Sequence, residues 1–446
     1  MDEISSNAIR AGRFRPLGRA LAHRNYRLFF AGQFVSMIGT WMTRMASGWL
    51  VFRLSEPEWQ AVWLGVVGFA GQIPAFFLAP LAGVLVDRWN RHRLLVVTQA
   101  LSLLQSAALA VLAFSAEPGI VTILILIVLN VCQGLINAFD MPARQAFMVE
   151  MIDRKQDLAN AIALNSSLVN GARLLGPAIA GVLIYLTSEA WCFVIDAVSY
   201  LAVIAALLAM HIVRQPREEH HAPVWHGLVE GFRYAFGFAP IRAILLLLAL
   251  VSFMGMPYSV LMPIFASDLG GGSGTMGFLL AASGLGALGG ALHLAARKTV
   301  LGLGRTIVFS TGTFGVALIG FALSNWLWLS LILMLVAGFG MMVEMAASNT
   351  ILQTIVDENK RGRVMSFYTM SFLGMAPLGS LFAGALASAV DARTTVLIGG
   401  AACVLGALLF AFKLPQIRVL VRPIYVQMGI LPQVATGLQS VVASEE

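Results

Sequence analysis

Twelve stretches of this chain are each long and apolar enough to cross a lipid bilayer, and that repetition restricts the fold more than any single motif does. A helix needs about 20 mostly apolar residues to span a hydrocarbon layer roughly 30 Å thick. Runs of that size fall at 26–52, 61–86, 94–114, 119–139, 160–187, 190–212, 241–266, 275–296, 305–325, 326–349, 364–389 and 394–412, parted by polar turns. They do not alternate as barrel strands do, and an open sheet in lipid would leave backbone groups unpaired, so helices are expected throughout. With 59% hydrophobic and 11% charged residues, the chain has less than half the charge of a soluble domain, about 25%. The expected fold is an all-α membrane protein: twelve transmembrane helices in two six-helix pseudo-symmetric halves.

Orientation follows from the basic residues, because short Lys/Arg-bearing loops stay on the cytoplasmic side. Of the 29 Lys and Arg, only Arg53 and Arg393 fall on the far side of an alternating topology, and Arg44 and Arg173 remain inside spans. Both termini are therefore expected in the cytoplasm. The first apolar run is far longer than a signal-peptide core, so the amino terminus is expected to be retained. The formal charge of +7 is spread over short loops, which the insertion rule explains without a nucleic-acid partner. Cys132, Cys192 and Cys403 sit in apolar runs with no pair near a turn, which suggests packing and neither a disulfide framework nor a metal site.

The expected organisation is an N-terminal arm (1–25), a first bundle (26–212), a linker (213–240), a second bundle (241–413) and a tail (414–446). In the linker, Trp225, Leu228, Val229, Phe232 and Phe236 recur at helical spacing, as on a helix lying along the membrane surface. The bundles echo each other. "LLGPAIAG" at 174–181 has a counterpart in "GMAPLGSLFAG" at 374–384, with Pro177 and Pro377 at matched places. "NAFDMPARQAFMVEMID" (137–153) aligns with "MMVEMAASNTILQTIVD" (341–357), which brings Asp140 onto Glu344. Tandem helical repeats of this kind build transporters whose substrate site lies between the repeats near mid-membrane.

Two motifs carry more than topology. "GVLVDRWNRHR" (83–93) concentrates charge in the turn between the second and third runs. Any basic loop would satisfy the insertion rule, but the spacing resembles the loop signature of the major facilitator superfamily, matched at Gly83, Leu85, Asp87, Arg88, Arg91 and Arg93. Asn90 and His92 depart from it. The resemblance implies a charge-based latch between the halves, closed when the transporter faces outward. "GARLLGPAIAG" (171–181) is small-residue packing on its bland reading. It also resembles the antiporter motif of exporters in that superfamily, at Gly171, Gly176, Pro177 and Gly181, with Ala180 in place of one glycine. With "HRNYRLFFAGQFVS", "FDMPARQA" and "FVIDAVSYL", most of residues 23–413 is similar to the enterobactin exporter-like branch of transmembrane secretion effectors. That resemblance implies a bacterial inner-membrane protein, a siderophore or other amphipathic small molecule as cargo, a monomer, and work alongside a periplasmic or outer-membrane efflux system.

Ionisable residues within spans are costly and mark functional candidates. Asp140 and Glu344 are candidates for carrying a coupling proton, since a carboxyl in dry surroundings favours its neutral form; a fixed ion pair of Asp140 with Arg144 is the plain alternative. Arg44, Arg173 and Asp196 are candidates for intramembrane ion pairs, with Arg44 and Asp196 at matching depth. Trp41, Trp49, Met254, Met256, Met341, Met342 and Met345 are candidates for lining a cavity, or plain core. "GLGALG" (284–289) lies inside an apolar run with no preceding strand, which fits close helix packing and not a dinucleotide fold. No phosphate-loop motif and no nucleophile–base constellation occurs, so an ion gradient is the expected energy source, no cofactor is expected, and an enzyme is disfavoured. The expectation is a proton-coupled exporter, with a broad drug efflux pump or a non-transporting sensor or scaffold as alternatives.

Overall fold

The computed structural model describes residues 18–152, 154–211, 232–297 and 299–432. Among them there is no strand. The helices are α1 (Arg24–Leu54), α2 (Gln60–Ala70), α3 (Ile73–Arg88), α4 (Arg91–Phe114), α5 (Ile120–Glu150), α6 (Leu158–Leu186) and α7 (Glu189–Leu208). After the linker come α8 (Ala239–Leu250), α9 (Met262–Asp268), α10 (Ser273–Ala295), α11 (Leu303–Leu323), α12 (Leu327–Ile355), α13 (Glu358–Thr369), α14 (Met375–Ala389) and α15 (Ala392–Gln427). A π-turn at Val251–Gly255 and a 3₁₀ turn at Met256–Ser259 follow α8, and a π-turn at Met370–Gly374 joins α13 to α14.

Eleven described helical segments are long and apolar enough to cross a membrane. The twelfth expected span, α1, is 31 residues long and falls outside that set because polar Gln33, Ser36, Thr40, Thr43, Arg44 and Ser47 line its length. It nevertheless packs within the bundle, against α6 and α7. The linker helix lies mostly outside the described residues; at its end, Phe232 and Phe236 stack at 4.5 Å and both lie against Phe367.

Consecutive crossings run antiparallel, so one end of the bundle, here called proximal, carries Arg24, Arg88, Glu150 and Leu208. The distal end carries Leu54, Gln60, Phe114 and Leu186. Helices α1–α7 pack on one another, as do α8–α15, and the two groups meet along two seams, α2 on α14 and α6 on α10. Glycine makes both seams. A Cβ on Gly65 would lie 2.9 Å from the Cα of Gly384 and 2.7 Å from the Ser380 carbonyl oxygen. A Cβ on Gly277 would lie 2.8 Å from the Cα of Gly181 and 2.6 Å from the Pro177 carbonyl oxygen. Only residues without a side chain let backbones approach this closely.

The two seams are related by the same pairing, so the counterpart of Pro177 is Ser380, four residues before the seam glycine. This corrects the pairing of Pro177 with Pro377. Sequence similarity aligned the prolines, whereas the packed backbones match Ser380 to Pro177.

Candidate functional site

In the first group, a polar interior surrounds Asp140, which α5 holds 2% exposed. Its Oδ1 accepts from Thr98 Oγ1 at 2.8 Å and from Gln99 Nε2 at 2.7 Å, both on α4. Its Oδ2 is paired with Arg144, one turn later on the same helix, and Arg144 donates on to Gln33 Oε1 of α1 at 2.6 Å. Asp140 therefore sits in a closed ion pair with hydrogen-bonded support on three helices.

Asp196 of α7 is also buried. Its Oδ2 accepts from Thr43 of α1 at 2.8 Å and from Ser106 of α4 at 2.7 Å, while Oδ1 has no partner. The expected pairing of Asp196 with Arg44 is not made. Hydroxyls from two helices reach the carboxylate first, and Arg44 turns instead onto the ring of Trp41, with Cζ 5.2 Å from its centre. Arg173 of α6 also holds its Cζ 5.2 Å from the Trp41 ring centre. No ion pair joins either arginine to a carboxylate among the described residues.

Glu344 has different surroundings. It is 1% exposed on α12, Oε1 accepts from Ser348 at 3.2 Å, and Oε2 has no partner. No described cation pairs with it. Tyr368 donates not to the carboxylate but to the carbonyl of the next residue, Met345, at 3.1 Å.

The proximal turn is built from α3, α4 and their neighbours. α3 ends at Arg88, and Asn90 caps α4 by accepting from the Arg93 amide at 2.9 Å. That gives the departure of Asn90 from the loop signature a local reason, since asparagine is a strong helix cap. Arg91 pairs with Glu150 of α5 at 2.7 Å, and His92 donates to the Leu207 carbonyl at 2.8 Å. These ties run within the first group. A Cβ on Gly83 would meet nothing within 4 Å. The side chain of Asp87 lies outside the described residues, Leu85 is half-buried and Arg88 lies at the helix end.

On α6, Gly176 faces α1, where an added Cβ would meet the Cβ of Trp41 at 2.5 Å. Gly181 forms the seam with α10, and Gly171 faces open space. Pro177 leaves the Arg173 carbonyl without its helical partner, and that oxygen lies where a Cβ on Gly284 would be 3.1 Å away. Of the expected cavity residues, Met341 and Met342 are instead buried, because α12 packs against both α10 and α11 and leaves them no free face. Met254, Met256 and Met345 are half-buried, and Trp49 lies tilted against Phe52, ring centres 5.4 Å apart.

Sequence reading missed the distal ion pairs. Arg53 binds Glu189 at 2.9 Å and Arg393 binds Asp268 at 3.3 Å, one pair in each group. The signal was available, since these are the two arginines that break the basic asymmetry of the loops. It also missed the hydroxyl pair of Tyr258 and Ser283, 2.7 Å apart, for which the sequence carries no pattern.

The model of the transmembrane secretion effector family matches residues 14–423. The chain belongs to that family. Its members are major facilitator transporters and not enzymes, and the chain is a multi-pass membrane transporter of small molecules. It is 26% identical over 389 residues to the staphyloferrin A transporter of Staphylococcus aureus, covering 86% of this chain and 95% of that protein. It is 28% identical over 370 residues to the multidrug efflux pump Tap of Mycolicibacterium fortuitum, covering 80% of this chain and 88% of that one. Among solved structures, a bacterial homolog of the human lysosomal transporter Spinster, inward-facing and unoccupied, superposes with a TM-score of 0.64 at 16% identity, over 90% of this chain and 97% of that chain. The last likeness concerns the fold alone.

Proposed function

We propose that this transporter is a proton-coupled exporter of a small amphipathic molecule of the siderophore class, working by alternating access in the bacterial inner membrane. The two groups of helices are its two six-helix halves, and the proximal end is cytoplasmic, with both termini. The observation that carries the coupling is the carboxyl of Glu344, which is buried with one oxygen unpartnered and no cation beside it. An ionised carboxylate there would cost several kcal/mol, so the site accommodates the neutral acid, and the charged form requires water to enter. Rocking of one half against the other would supply that water on alternate sides, which is what loading and releasing a proton needs. Asp140 is the weaker candidate, because Arg144 already compensates its charge.

The glycine seams close the distal end, so the arrangement corresponds to a cytoplasm-facing state. A monomer is sufficient for this cycle, with delivery onward to a periplasmic or outer-membrane efflux system.

The test is efflux from energised vesicles loaded with a siderophore panel or a lipophilic cation dye, comparing wild type with Glu344→Gln and Asp140→Asn. Loss of gradient-driven efflux in Glu344→Gln with cargo binding retained is the expected result. Undiminished coupling in that variant would remove Glu344 from the mechanism. The likeness to a multidrug pump supports a second reading, broad drug efflux, and movement of the dye in preference to every siderophore would select it.

A further inference from the structure

Two guanidinium groups without a counter-ion sit together in the middle of the bundle. Arg44 and Arg173 each hold Cζ 5.2 Å from the centre of the Trp41 ring, so the two carbons lie no farther apart than twice that distance. Trp41 is fixed in its turn by the close approach of Gly176. Arg44 and Arg173 carry charges of the same sign and repel each other, and the Nε of Arg173 has no hydrogen-bond partner. The acid at matching depth, Asp196, is taken up by Thr43 and Ser106. Arg44 is exposed and Arg173 half-buried, which leaves both side chains accessible to a solute. Tyr258, from the other group of helices, interacts electrostatically with Arg173 and shares its hydroxyl with Ser283.

Keeping two like charges side by side at membrane depth is unfavourable, and a purely structural arginine would be expected to pair with an acid or a backbone carbonyl. Cation–π contact with one tryptophan holds both groups in place without neutralising them. Each guanidinium thus keeps its planar fork of donors free for a carboxylate, the group it matches in a bidentate pair. We propose that Arg44 and Arg173, set by Trp41, form the anion subsite of the cargo, and that the cargo is a small organic anion carrying two or more carboxylates rather than a lipophilic cation. The inference rests on the exporter reading and narrows its substrate class.

The test is titration calorimetry on the purified full-length protein with tricarballylate and phthalate as carboxylate probes and tetraphenylphosphonium as the cationic probe. Both anions are expected to bind wild type, more weakly as salt is raised, and at least tenfold more weakly after Arg44→Gln or Arg173→Gln. Tetraphenylphosphonium is expected to bind the variants no more weakly than wild type. Should a glutamine variant fail to fold, Arg44→Lys and Arg173→Lys keep the charge and lose the fork, and a three- to tenfold loss is expected from each. Failure of folded wild type to bind either anion, or unchanged affinity in the folded variants, overturns the subsite. Proteoliposomes under a pH gradient separate this from the exporter reading. Dye efflux without anion binding keeps the exporter and removes the subsite, whereas arginine-dependent anion binding with no gradient-driven movement of any probe keeps the subsite and removes the exporter.

Discussion

Asp140 and Glu344, which the sequence repeat sets opposite each other, have different interiors around them. The first group surrounds its acid with Thr98, Gln99, Gln33 and Arg144, all joined in one network. The second leaves its acid with a single serine. The first acid has a cation and three hydrogen-bonding side chains in its network, whereas the second has one hydroxyl and no described cation.

The largest effect that could break this comparison lies in transport. Glu344→Gln is expected to abolish gradient-driven efflux, by at least thirtyfold in initial rate, while the unfolding temperature stays equal or rises, because a buried uncompensated acid has been neutralised. Vesicle efflux and thermal unfolding of the same preparation check both halves of the statement.

Next come the seams. If the two are equivalent, Gly65→Leu and Gly277→Leu should each reduce efflux about tenfold, a difference of ~1.4 kcal/mol in the step they hinder. Each should also raise the reactivity of cysteines introduced at the distal mouth. A large effect at one seam and none at the other would show that the halves do not close as a symmetric pair.

Asp140→Asn should act on stability. Breaking a buried pair costs about 3–5 kcal/mol, and Arg144 keeps some access to water, so a loss of about 2 kcal/mol is expected, seen as a lower unfolding temperature. The double variant Asp140→Asn with Arg144→Gln should recover part of it. An Asp140→Asn protein that is fully stable and uncoupled would exchange the roles assigned to the two acids.

The distal ion pairs sharpen the comparison at smaller scale. Arg393 and Asp268 are both partly exposed, so Arg393→Gln should cost under about 1 kcal/mol, whereas Arg53→Gln should cost more, about 1–2 kcal/mol, because it leaves the buried carboxylate of Glu189 without its partner. Smallest is the pH effect at Asp391, whose carboxyl caps α15. The Thr394 amide, 2.7 Å away, holds this acid below the usual carboxylate range. The folded form binds its proton more weakly than the unfolded chain does. The contribution is thus complete above the ordinary carboxylate range and is lost as pH falls through the depressed value. Between pH 6 and 8 it should be flat. Faster amide exchange at Thr394 in Asp391→Ala, at fixed neutral pH, checks the cap.

The helices were legible in the sequence because lipid imposes a length and a polarity that hydropathy measures directly. Their ends were less so. The last apolar run stops at 412, whereas α15 continues to Gln427, since a helix leaving the membrane exchanges apolar for polar residues without ending. The acids at 140 and 344 were found from cost alone, and the Asp140–Arg144 pair from helical spacing. What escaped was partner choice across helices. Depth placed Arg44 level with Asp196, but rotation about the helix axes delivered Thr43 and Ser106 to the acid and Trp41 to the arginine. Hydropathy contains no information about that rotation.

The glycine seams have a mechanical consequence. Side chains that interdigitate must be withdrawn from one another's pockets before two surfaces can part, and each withdrawal adds to the barrier. Bare backbone against bare backbone has nothing to withdraw. The contact is held by weak attractions and, at the second seam, by a hydrogen bond from Ser273 to the Gly181 carbonyl at 3.3 Å, so surfaces of this kind could exclude a solute and still part with a modest activation energy. A gate of that kind suits a machine that must open and shut once for every molecule it moves.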